Sequence, residues 1–165
     1  GYNPIFFSYP FGEWSSIQKK FISKHFDFAF GQHSGVIDLN KDKYELPRFP
    51  INEKYGDLDR FKFLVKLLPL QYKKVFPEDK LIEKNNPPEM KVEFFDEQNI
   101  NNINCFSNEG KGWDNSKLEI NNNILKIIFR DKFNTRRGRI NCSVKDNVGW
   151  RWFGVQFVIK SIEDN

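Results

Sequence analysis

The chain has 165 residues, 39% of them hydrophobic, enough for one ordinary domain or two small ones. Aromatic residues make up 16%, including 18 Phe, which favours strands packed around large rings. The net charge of +4 sits in residues 1–77, where 12 Lys/Arg face 8 Asp/Glu. That modest excess solvates a surface, and no helix-turn-helix, zinc-finger or RNP pattern accompanies it, which argues against a nucleic-acid partner. No apolar run approaches the roughly 20 residues that span a bilayer.

The first segment alternates strand and helix patterns. Ile5–Tyr9 is a short apolar run closed by Pro10 and Gly12, so it predicts a strand ending in a tight turn. Over Glu13–Lys24, Trp14, Ile17, Phe21 and Ile22 recur at helical spacing, with His25 at the C-terminal end. Phe26–Phe30 reads as a second strand. Leu46–Ile51 is extended, because Pro47 and Pro50 forbid helix. Asp57 caps a predicted helix over Leu58–Leu68. This order predicts a parallel βα architecture for residues 1–77.

Prolines and charges between Pro69 and Met90 predict an interdomain linker, centred on residues 78–89. From residue 90 onward, short strands are predicted at Met90–Phe95, Ile103–Phe106, Lys117–Ile120, Ile124–Phe129, Arg139–Val144 and Trp150–Ile159. Asn-rich turns separate them, which predicts an accessory β-sandwich over 90–165.

Chemistry-bearing residues are sparse. His25 and His33 lie eight apart, and there is neither an Asp-Asp pair nor a Cys-x-x-Cys, so the sequence builds no metal site of its own. Gly31-Gln32-His33-Ser34-Gly35 places three polar side chains between two glycines at the end of a predicted strand. Cys105 and Cys142 each sit in an Ile-Asn-Cys strand. They are either a disulfide pair, which requires an oxidising compartment, or two buried thiols. Alternation along Trp150–Phe157 sets Trp150 and Trp152 on one face. With Trp113 they form either a sugar-stacking platform or part of a core.

Ser8-Tyr9-Pro10-Phe11-Gly12-Glu13-Trp14, Gly31-Gln32-His33-Ser34-Gly35 and Leu46-Pro47-Arg48-Phe49-Pro50-Ile51-Asn52 together resemble the C-terminal part of the polysaccharide deacetylase (NodB-like) catalytic domain. The later Arg139-Ile140-Asn141-Cys142 and Trp150-Arg151-Trp152-Phe153-Gly154 runs resemble a domain appended to one branch of that family. The resemblance implies an α/β plus all-β fold: the C-terminal portion of a (β/α) barrel, then a β-sandwich. It implies hydrolysis of N-acetyl groups on an aminosugar polymer, using a divalent metal, usually zinc, that polarises the amide carbonyl. In such enzymes the metal ligands and the base come from earlier motifs, so the upstream half of the catalytic domain is an expected partner and the chain alone is expected to be inactive.

The resemblance further implies His33 as a general acid and Arg48 as a residue orienting a catalytic carboxylate. Tyr9 and Phe11 would shape the substrate-binding mouth. The expected location is periplasmic, cell-envelope or secreted, with the cytoplasm still open. The alternative reading is a carbohydrate-binding or envelope-interaction module that works through Trp113, Trp150 and Trp152.

Overall fold

A computed structural model describes Gly1 and residues 3–160. At the N-terminal end, β1 (Phe6–Ser8) leads through a 3-10 turn at Pro10–Gly12 into α1 (Ser16–Ile22) and β2 (Phe28–Phe30). Ser15 starts α1 with a capping box: its hydroxyl accepts from the Gln18 amide while the Gln18 side chain accepts from the Ser15 amide. β1 and β2 pair in parallel, and Leu46 adds a single parallel bridge beside Phe30. The side chains of Phe7, Tyr9, Trp14, Ile22 and Ala29 form a small core under this layer. Asp57 caps α2 (Leu58–Leu64), accepting from the Arg60 amide, but no residue of this helix is buried.

The remaining elements are strands: β3 (Leu68–Pro69), β4 (Tyr72–Phe76), β5 (Leu81–Ile82), β6 (Met90–Phe94), β7 (Asn104–Asn108), β8 (Asp114–Asn115), β9 (Lys117–Asn121), β10 (Ile124–Ile128), β11 (Arg137–Lys145) and β12 (Trp150–Ile159). One sheet runs β4-β6-β10-β9. The other runs β3-β12-β11-β7-β8, with β5 also paired to β12. Met90, Val92, Phe94, Leu125 and Ile127 of the first sheet meet Ile140, Cys142, Val144, Phe153, Val155 and Phe157 of the second in one large core. Edge-on ring contacts such as Phe94–Phe153, with centroids 6.1 Å apart, hold the sheets together.

Two expectations are corrected. The chain does not begin with a portion of a (β/α) barrel. Among the described residues α-helix is confined to two seven-residue segments, the parallel layer has two strands, and β-sheet dominates. The apolar spacing around Asp57 does produce a helix, but the chain leaves it at Leu64 and goes into sheet pairing rather than back into a parallel layer.

Residues 68–82 are woven into the sheets. Leu68–Pro69 and Leu81–Ile82 run parallel to β12, and Tyr72–Phe76 pairs antiparallel to β6. The composition that reads as linker is that of sheet edges. Proline is tolerated there because one side of the strand needs no ladder, and exposed lysines such as Lys73 and Lys74 discourage further pairing.

Candidate functional site

Between the 31–64 segment and the second sheet lies a cleft of about 1010 Å³. Its construction starts at the backbone. The Arg48 amide donates to the His33 carbonyl at 3.0 Å, and Arg48 Nε donates to the Gly31 carbonyl, also at 3.0 Å. These two bonds knit the His33 loop to the extended 46–51 segment.

Two glycines let the loop sit this closely. A Cβ on Gly31 would stand 2.8 Å from His33 Nδ1. A Cβ on Gly154 of β12 would press on the Ser34 carbonyl oxygen and stand 2.6 Å from Asn141 Oδ1. The loop therefore rests directly on the backbone of the sheet.

His33, Arg48, Trp113 and Trp152 all line this cleft. They come from separated stretches of sequence. Trp113 is 47% exposed. Trp152 is partly buried, with Phe49 packed edge-on against it at 6.1 Å. The Trp152 indole N–H is buried and has no acceptor among the described residues. An unpaired buried donor of this kind costs on the order of 1–3 kcal/mol.

The other sequence-derived candidates lie elsewhere. Tyr9 is a core residue, 3% exposed, its hydroxyl donating to the Tyr44 carbonyl at 3.0 Å. Burial, with help from Asp42 and Glu45, pushes its phenol up to about 12, so it stays protonated. Phe11 is exposed at a positive φ of 56°, with the Arg137 guanidinium over its ring. Trp150 is exposed on β12 opposite Lys145, outside the cleft lining. Cys105 and Cys142 face each other across β7 and β11 and are joined by a disulfide.

Sequence reasoning missed several cleft residues: Tyr55, Arg60, Arg139 and Asn141. It also missed the one that ties the parts together. The buried Gln156 accepts from Arg139 Nε at 2.9 Å, and its amide donates to the carbonyls of Phe11 at 3.2 Å and Gly12 at 3.1 Å. The Tyr-Pro-Phe-Gly turn therefore contributes through its backbone, docking the N-terminal layer on β12. The available signal was a Gln at a core position of a strand, which needs amide partners on both ends.

His33 lines the cleft with a shifted imidazole. Burial, with added repulsion from Lys41 and Lys80, pushes its imidazole down to about 3. A general acid working near neutrality must carry its proton, and this ring is neutral there. As a neutral ring His33 can offer a hydrogen bond to a ligand in the cleft that it lines. Nor do the residues present fit the metal that the resemblance implies. Among the described residues, no group of three or more His, Cys, Asp or Glu side chains converges to hold an ion. No helix of the described residues is long and apolar enough to cross a membrane. No protein-family model, curated protein or solved structure matches this chain.

Proposed function

We propose that the chain grips an N-acetylated aminosugar polymer in the cleft, as the substrate-holding part of a polysaccharide deacetylase. The observation behind this reading is the convergence of His33, Arg48, Trp113 and Trp152 on one groove. Aromatic faces stack on the apolar faces of sugar rings, while polar groups between them read hydroxyl and amide groups. Trp113 is the stacking surface. Asn141 and neutral His33 supply hydrogen bonds. In this reading the metal ligands and the base are supplied by residues other than those described, and the described residues hold the substrate. The disulfide fits an oxidising compartment such as the cell envelope or the exterior.

Tryptophan fluorescence during titration with chito-oligosaccharides tests the binding. A saturable change is expected, and Trp113→Ala should weaken it about 3- to 10-fold. An unchanged spectrum would reject the reading. Exposed Trp113 favours a second reading, a glycan-binding module with no associated chemistry. Acetate release separates the two. Hydrolysis when the chain is supplied with a metal-binding deacetylase half supports the deacetylase, and binding without hydrolysis under either condition supports the module.

A further inference from the structure

The protein has seven arginines. Four of them are ion-paired. Arg130 meets Glu109 and Asp114, Arg136 and Arg137 meet Glu13, and Arg151 meets Asp146. The other three, Arg48, Arg60 and Arg139, all line the cleft. Among the described residues none of these three guanidinium groups pairs with a carboxylate, and no Asp or Glu lines the cleft.

Neutral acceptors hold each of them in place. Arg48 Nε donates to the Gly31 carbonyl and Arg139 Nε to the Gln156 amide oxygen. Arg60 Nη1 donates to the carbonyls of Pro50 and Tyr55, and its guanidinium lies 5.4 Å from the Tyr55 ring centroid. These bonds fix the planes of the guanidinium groups and leave both terminal nitrogens of Arg48 and Arg139, and Nη2 of Arg60, unclaimed. Burial and the neighbouring Arg137 charge hold the Arg139 guanidinium below its usual range, as happens where positive charge lacks a counterion.

We propose that the cleft recognises an acidic glycan, a polymer whose N-acetylated sugars are accompanied by carboxylate-bearing uronic acids. This rests on the glycan reading above and adds the charge of the substrate. A fixed guanidinium plane with free terminal nitrogens matches a carboxylate in bidentate fashion. Trp113 and Tyr55 supply stacking faces beside those forks. Among the described residues these three positive charges face no carboxylate, so covering them with a neutral polymer would carry an uncompensated desolvation cost.

The test compares three oligosaccharides of equal length by calorimetry. One alternates N-acetylglucosamine with glucuronate, one is a chito-oligosaccharide, and one is a sulfated neutral glucan. The uronate probe is expected to bind at least tenfold more tightly than the chito-oligosaccharide, an advantage that shrinks as salt is raised. Arg60→Gln and Arg48→Gln should each remove roughly tenfold of uronate affinity and weaken chito-oligosaccharide binding by clearly less, while Arg48→Lys should retain part of the uronate affinity. Arg48 also holds the His33 loop through the Gly31 carbonyl, so the urea midpoint of each variant is measured beside its affinity to separate lost recognition from a loosened loop.

Equal affinity for the uronate and neutral probes, or uronate binding indifferent to these variants, overturns the proposal while the glycan reading survives. Binding of none of the three overturns both. Equal or tighter binding of the sulfated glucan, or of a polyglutamate peptide, overturns the carboxylated-glycan assignment.

Discussion

Gly154→Ala isolates the packing that builds the cleft. The new Cβ would press on the Ser34 carbonyl oxygen, stand 2.6 Å from Asn141 Oδ1, and lie 3.1 Å from the Ile140 carbonyl oxygen. Two of these three atoms are backbone, so relief requires the 32–35 loop to lift from β12. Removing a glycine from a strand would ordinarily gain about 0.4–1 kcal/mol by restricting the unfolded chain. Overpacking against backbone costs typically 1–3 kcal/mol, and that term wins. The net expectation is a loss of about 1–2 kcal/mol, which for a chain of this size lowers Tm by roughly 2–8 °C. Urea denaturation measures the loss. The displaced loop carries His33 and Ser34 off the cleft wall, so glycan affinity should fall along with stability. A Gly154→Ala protein with unchanged stability and unchanged binding would refute the direct seating of the loop on the sheet.

Other outcomes follow from individual contacts. Removing the Cys105–Cys142 crosslink, which spans a sequence separation of 37, should cost roughly 3–4 kcal/mol, read as a lower urea midpoint for the Cys105→Ser, Cys142→Ser double variant. Burial raises the Glu109 carboxyl, but hydrogen bonds from Ser107 and Arg130 outweigh it and hold the group below the usual carboxylate range. Its contribution is therefore complete above the unfolded carboxylate pKa and is lost as pH falls through the folded value. Glu109→Gln should cost about 1–3 kcal/mol at neutral pH and flatten that acid dependence, measured by denaturation across pH. His33 is depressed to about 3, so it favours the folded state fully above about 6.5 and progressively less as pH falls toward 3. Its ring signals in an NMR titration should show the neutral form down to at least pH 5, and an ordinary midpoint near 6.5 would contradict its enclosure.

The candidate site was partly legible in the sequence. His33 and Arg48 stood out because glycines and prolines bracket them, and those same residues shape the loop and extended segment that present them to the cleft. Trp113 and Trp152 stood out as aromatics beside turns and in a dense strand. Trp150 did not join them. It shares a strand face with Trp152 but sits at the first position of β12, opposite Lys145 and outside the cleft lining. Arg60 and Arg139 gave no local signal, because a lone arginine reads as a solvated charge until its lack of a carboxylate partner is visible.

The sequence by itself determined the local elements. The period-two runs at Met90–Phe94, Ile124–Ile128 and Trp150–Ile159 became strands within a residue of where alternation puts them. The cap at Asp57 started a helix, and the facing Ile-Asn-Cys strands became a crosslinked pair. Tertiary structure alone decided the layering. Short apolar runs near the N-terminus are equally compatible with a parallel barrel and with a two-stranded layer, because periodicity reports which face is apolar and not what covers it. The pairing of Leu68–Pro69 and Leu81–Ile82 with β12, the docking of Gly12 on Gln156, and the seat of Ser34 on Gly154 join positions 77 to 144 residues apart. Such contacts form only when the sheets close, and the cleft exists only between the parts they bring together.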